Sequence, residues 1–229
     1  MTLSHGSSIV RDGLVLHLDA ANVKSYPGSG TAWKDLSGKG HDGTLVNGPV
    51  YNSNGYIDYD GVNDYAEIPN HSDFQFTTAF TQLIWFRLNS PFGTAYKTLF
   101  GKYNYRDWGI IVEWYTNNPV IFDFTTSGTT NRNILGAVTP NYNGWVMLAR
   151  TYDKSLPSNN HNAWVFDVDG VQKRTSSPQV DINVSSNVVR IGDTGGGDFD
   201  IGTALLYNRG LTEEEIYRNF EALRGRYGI

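Results

Sequence analysis

Apolar residues along this chain recur mostly at two-residue spacing, in short runs broken by clusters of Gly, Asn, Asp and Pro. That period is the signature of half-buried β-strands. Leu14, Leu16 and Leu18 share one face of a first strand. A turn region runs from Asp19 to Thr31. Short strands are then expected at Thr44–Val46 and Val50–Tyr51, joined through Asn47-Gly48. Tyr56–Tyr59 and Tyr65–Ile68 pair around Asp60–Asp64. The middle of the chain carries the longest runs: Ala79–Leu88, Lys97–Lys102, Trp108–Trp114, Val120–Phe124 and Trp145–Tyr152. Ala163–Val168 and Val171–Arg174 flank Asp169-Gly170, a two-residue hairpin signal. Val188–Ile191 and Ile201–Tyr207 complete the set.

The period changes at the C-terminus. After Asn208-Arg209-Gly210, the segment Leu211–Ile216 reads as a helix start. Thr212 stands where its hydroxyl caps the first turn, and Glu215 stands where it closes a capping box. Glu213, Glu214 and Glu215 all lie at the positive end of the helix dipole. Ile216, Phe220 and Leu223 follow at i, i+4 and i+7, one apolar stripe. Many short strands without a fixed repeat, closed by a single helix, predict an all-β fold. The expected architecture is a two-sheet antiparallel jelly-roll sandwich with one short C-terminal α-helix. Residues 1–13 are polar and read as a flexible arm, and 14–229 as a single domain.

Three local wordings carry a resemblance. The ending Leu206-Tyr207-Asn208-Arg209-Gly210-Leu211-Thr212, running into Glu215-Ile216, is one. The stretch Trp33–Leu45 (WKDLSGKGHDGTL) together with Tyr59–Tyr65 (YDGVNDY) is the second, and Arg190–Asp193 is the third. In this order they resemble laminin-G-like domains of the concanavalin A-like lectin/glucanase superfamily, from about Leu14 to Arg224. The resemblance implies a concanavalin A-like sandwich. It also implies a loop at Asp35 that folds over a cation together with an acidic residue near the last strand, matched here by Asp200. The wording at Leu18–Asn22, Ser25–Thr31 and Arg224–Gly228 is similar to domains attached to tailed-phage structural proteins. That similarity implies a place on the virion surface or outside cells, other virion proteins as partners, and display as a homo-oligomer or in many copies.

Composition narrows the choices. Aromatic residues at 14% and hydrophobic residues at 39% supply ample core material for 229 residues. A formal net charge of −5 gives no electrostatic case for nucleic acid or for an anionic membrane. No apolar run reaches transmembrane length. The absence of cysteine removes any disulfide framework and favours a bacterial or viral source over a secreted animal one. The first residues show no basic stretch followed by an apolar run, so no signal peptide is visible.

Candidate chemistry comes last. Glycoside hydrolysis needs two carboxylates flanking the bond. Of the six glutamates four lie in the closing helix, and neither Glu67 nor Glu113 stands in the Glu-x-Asp pattern of the glucanases. The expectation is a module that is not an enzyme. The five histidines show no metal-ligand spacing. A structural calcium ion is expected instead, held by Asp35, Ser37 and Gly40 with Asp200 or Asp19, because calcium takes hard oxygen ligands on loops. The competing reading of Asp35 and Ser37 is an Asx turn that simply holds a tight loop. For carbohydrate, Tyr103, Asn104, Tyr105, Arg106, Asp107 and Trp108 form a polar turn interleaved with aromatics. Tyr105 and Trp108 are the stacking groups in that reading, and core filling is the alternative for both. The function expected is a non-catalytic carbohydrate-binding or adhesion module of a virion structural protein, with a surface glycan as partner. The alternatives are a purely structural capsid decoration protein, and a glycoside hydrolase or lyase.

Overall fold

The computed structural model describes residues 8–89, 97–102, 108–115, 118–125, 144–177, 181–192 and 198–229. In chain order the first strands are β1 (Leu14–Asp19), β2 (Ala32–Trp33), β3 (Gly43–Val46), β4 (Val50–Asn52), β5 (Tyr56–Asp60), β6 (Tyr65–Ile68) and β7 (Ala79–Leu88). They continue with β8 (Lys97–Lys102), β9 (Trp108–Tyr115), β10 (Asn118–Thr125), β11 (Trp145–Asp153) and β12 (His161–Asp167). The last are β13 (Gly170–Ser176), β14 (Val189–Gly192) and β15 (Asp198–Tyr207), followed by helix α1 (Glu213–Tyr227). The strand pairings are antiparallel throughout, and they build two sheets.

The first sheet runs β13-β12-β11-β7-β15-β5-β4, with β1 also paired to β15. Strand β15 is its axis. One edge pairs along β7, while the other is shared by β5 at Asp198–Ile201 and β1 at Thr203–Tyr207. The second sheet runs β10-β9-β8-β14-β6-β3-β2. Between the sheets Leu16, Ile84, Phe86, Leu148 and Leu206 of the first meet Leu45, Ile68, Phe100 and Ile191 of the second in one continuous buried cluster. The sandwich is therefore the one predicted, and its antiparallel order places alternate side chains of each strand in that core.

A second apolar layer lies outside the first sheet. Leu83, Trp85, Met147, Trp164, Phe166 and Leu205 point away from the sandwich and are covered by Ile216, Phe220, Leu223 and Tyr227 of α1. Trp85 stacks on Tyr227 at 4.2 Å between ring centroids, and Phe220 stacks on Phe166 at 4.4 Å. The helix begins as its sequence dictates. Glu215 N–H donates to Thr212 Oγ1 at 3.3 Å, and Thr212 N–H donates to Glu215 Oε2 at 2.9 Å. Gly228 ends it in the left-handed conformation, with its N–H on the Arg224 carbonyl.

Residues 8–13 depart from the expected free arm. Ile9 and Val10 are buried against the helix layer. Val10 N–H donates to Asn219 Oδ1 at 2.8 Å, and Tyr207 Oη donates to the Val10 carbonyl at 3.0 Å. Two adjacent apolar residues and a buried carboxamide partner dock what polarity alone marked as loose; residues 1–7 lie outside the described set.

Candidate functional site

The structure describes only part of the set singled out from the sequence. Tyr103, Asn104, Tyr105, Arg106 and Asp107 lie outside the described residues. Trp108 opens β9 and is buried at 1% exposure, with Phe76, Phe80 and Phe100 around its ring. Its Nε1–H donates to the Phe74 carbonyl at 3.1 Å. Trp108 is a core residue, not the exposed platform expected for sugar stacking. Pairing decides this: Gly109 lies opposite Gly101, so Trp108 and Ile110 turn inward beside Phe100.

The expected calcium ligands do not converge either. Asp35 accepts four protein donors: His17 N–H and Ser37 N–H on Oδ1, at 2.9 and 2.8 Å, and Ser37 Oγ–H and His41 N–H on Oδ2, at 2.6 and 3.1 Å. Those bonds fill the lone-pair positions of the carboxylate. Asp19 is 1% exposed, accepts Ala21 N–H, and pairs with Arg226 Nη1 at 2.6 Å. Asp200 is equally buried, and Arg87 and Asn89 Nδ2 occupy its two oxygens. Each carboxylate is neutralised by a cation or by amide donors, so none projects a free hard ligand toward the others. Gly40 has φ +78° and contributes the backbone turn rather than a ligand. The Asx-turn reading of this loop is the one the geometry supports.

A concavity forms elsewhere, at the N-terminal end of α1. Its volume is about 440 Å³. The end of β11 gives Thr151 and Asp153, the following loop Leu156, Asn159 and Asn160, the edge hairpin Asn162, Trp164 and Lys173, and the helix start Gly210 to Glu213. Lys173 Nζ donates to Glu213 Oε2 at 2.6 Å and sits 5.1 Å from the Trp164 ring centroid. That hydrogen bond holds the Glu213 carboxyl below its ordinary range. The Asn162 carboxamide is fixed on both sides, accepting Thr175 Oγ1 at 2.8 Å and donating to the Asn159 carbonyl at 2.8 Å. Asn159 takes φ +51°, which lifts its exposed side chain onto the rim. Nothing among the described residues bonds that carboxamide. Exposed Leu156 forms an apolar lip.

The other end of α1 carries a polar and aromatic cluster of a different kind. The Arg87 guanidinium lies 5.2 Å from the Tyr56 ring centroid and 5.5 Å from that of Trp145, while pairing with Asp200. Both rings are thereby occupied by the chain's own cation. The cluster is self-satisfied, and the cleft beside Asn159 is the candidate site. Sequence reasoning missed the cleft because its walls come from four separate segments. The Asn159-Asn160-His161-Asn162 run was its one visible trace.

A family model, Laminin_G_3 of the concanavalin A-like lectin/glucanases superfamily, matches residues 60–217. No curated protein matches the chain. Among solved structures, Trypanosoma rangeli sialidase in complex with sialic acid superposes with a TM-score of 0.63 at 14% identity, over 93% of this chain and 33% of the sialidase. The binding domain of botulinum neurotoxin DC in complex with SialylT gives 0.62 at 13% identity, over 93% of this chain and 52% of the toxin domain. Botulinum neurotoxin type C, whose uptake into cells depends on interaction with two ganglioside molecules, gives 0.61 at 12% identity, over 92% and 51%. At these identities the likeness is one of fold. The chain spans about a third of the sialidase length and about half of the toxin domains.

Proposed function

This chain belongs to the Laminin_G_3 family of the concanavalin A-like lectin/glucanase superfamily, and from that premise we propose that it is a non-catalytic carbohydrate-binding module. The observation that supports this most directly is the cleft at the start of α1, lined by Asn162, Asp153 and an Asn159 carboxamide that nothing among the described residues bonds. Carboxamides offer a donor and an acceptor side by side, as vicinal sugar hydroxyls require. Exposed Leu156 presents apolar surface to the C–H face of a ring.

Charge refines the ligand class. Asp153 and Glu213 line the cleft against one cation, Lys173, which is already paired with Glu213. An anionic sugar would meet a net negative wall, so the reading favours a neutral, hydroxyl-rich glycan. In this it departs from the sialylated ligands of the structural neighbours. Against catalysis stands the state of the carboxylates. A glycosidase needs one carboxyl kept protonated, whereas Glu213 is held low by Lys173. Asp58, whose carboxyl is pushed up by burial and by the facing Asp200, lies four strands away across the sheet from β12.

The resemblance of Leu18–Asn22 and Ser25–Thr31 to phage-attached domains extends the proposal to a surface module of a virion structural protein, displayed in many copies so that weak sites add through effective concentration. The test is a multivalent display of wild type and Asn159→Gly on a glycan array and on host cells, with protein composition measured on purified particles. Glycine keeps the left-handed backbone and removes the carboxamide. Retention of wild type that falls at least tenfold in the variant supports the cleft. Equal retention moves the site, and no retention by either protein, with the chain firmly on particles, favours a purely structural decoration. Release of reducing sugar would restore the hydrolase reading.

A further inference from the structure

His41, His71 and Asp73 belong to loops that are far apart in sequence and meet at one end of the second sheet. Strand β3 starts at Gly43 and β6 ends at Ile68; the two run antiparallel, with Thr44 opposite Glu67. The loop before β3 and the turn after β6 therefore share one end. His41 Nε2 lies 3.0 Å from Asp73 Oδ2, and His71 Nδ1 lies 3.6 Å from the same oxygen. One ligand atom from each residue lies within 4.8 Å of the other two. From this constellation we infer that His41, His71 and Asp73 form a zinc site, with at least one coordination position left to water or to an outside ligand.

The spacing fits the ion. Zinc holds nitrogen and carboxylate oxygen at about 2.0–2.1 Å in a tetrahedron, so neighbouring ligand atoms stand about 3.3–3.4 Å apart. The two distances to Asp73 Oδ2 bracket that value. Two imidazoles and a carboxylate are ligands that suit zinc better than calcium, which prefers oxygen alone.

The surroundings hold the ligands in place. His41 is buried, and its ring lies 4.7 Å from that of Phe74, between centroids. Its backbone N–H donates to Asp35 Oδ2, so the Asp35 loop fixes where the imidazole sits. The His71 Nδ1 accepts Asp73 N–H at 3.2 Å, which leaves its proton on Nε2, and zinc at Nδ1 takes over the lone pair now engaged by that backbone N–H. At His41 the ring proton moves from Nε2 to Nδ1, and zinc takes the place of the Nε2–H bond to Asp73. No net proton is released in that exchange. Because Asp73 is half-buried and His71 is exposed, solvent reaches the open position. Such an ion would clip the Asp35 loop to the turn that follows β6. The inference does not depend on the carbohydrate reading.

Zinc titration of the whole chain by calorimetry tests it, with His71→Ser and Asp73→Asn as variants. Serine retains a side-chain oxygen to cap the turn while removing the imidazole, so the fold survives the substitution. Wild type is expected to bind one zinc ion per chain with micromolar affinity. At a hundredfold excess over Kd its Tm should rise by about 5–10 °C. Each variant should bind at least tenfold more weakly, with a correspondingly smaller Tm shift. Equal affinity in wild type and His71→Ser overturns the site, since the zinc then sits on other histidines. Failure of folded wild type to bind at millimolar zinc overturns it as well.

Discussion

At the scale of single residues, burial decides which groups are ionised and which are structural. His17 sits on β1 at 6% exposure, and neither of its ring nitrogens finds a hydrogen-bond partner among the described residues. Burial lowers its pKa to about 4, against the pull of Asp19. An unfolded histidine protonates near 6.5, so between these values the unfolded state holds the extra proton. Stability contributed by neutral His17 is complete above about pH 6.5 and is lost as pH falls toward 4. The loss amounts to about 2–3 kcal/mol at pH 4.5. Urea midpoints at pH 7 and 4.5 should separate more for wild type than for His17→Gln; identical separations would show that His17 does not titrate in this window. Asp35 makes a second case. Its carboxylate terminates four hydrogen bonds, so Asp35→Ala should cost about 2–4 kcal/mol. Millimolar calcium should leave the Tm of wild type unchanged, because those oxygens are already engaged. A calcium-dependent Tm that disappears in the variant would restore the ion expected from the sequence.

At the scale of elements, α1 is both locally specified and tertiary in its stability. The capping box, the acidic first turn and the apolar stripe agree with one another, which is why its start was legible at Thr212. What holds it is the ring stack on the outer face of β7, β11, β12 and β15. Phe220 contributes most plainly, between Phe166 and Trp85. Phe220→Ala should cost about 3–5 kcal/mol and lower Tm by roughly 6–20 °C for a domain of this size. Differential scanning calorimetry decides it, and an unchanged Tm would mean a helix that does not support the sandwich. Loss of this layer would also loosen Ile9 and Val10, which pack on the same helix.

At the scale of the whole molecule, the sheet order brings distant segments together, and this is where sequence and structure divide the work. The strands followed from alternation, and the family from three ordered wordings. These are local signals, since a period of two and a turn residue act within a few positions. The expected pairing of Tyr56–Tyr59 with Tyr65–Ile68 did not hold: β5 lies beside β15 and β4 in the first sheet, and β6 beside β14 and β3 in the second. The hairpin read at Asp169-Gly170 turns at Val168-Asp169, with Asp167 opposite Gly170. The two-residue strand β2 escaped because so short a run has no period to read. Which face of a strand looks inward was not local. Trp108 reads equally well as platform or core until Gly101 and Gly109 are paired. The same holds for the carboxylates. Asp19, Asp35 and Asp200 look like ligands in one dimension, yet Arg226 and Arg87 reach two of them across more than a hundred residues, and the His17 amide binds the third. The cleft at Asn159 and the cluster of His41, His71 and Asp73 lie further from view. No spacing joins them, and antiparallel pairing of strands contributes what sequence distance hides. The chain by itself determined its elements, its capped helix and its fold family, because short-range sterics and hydrophobic period suffice for those. The tertiary structure alone decided which polar groups are spent on each other and which are left to bind, because that depends on partners supplied by strand order.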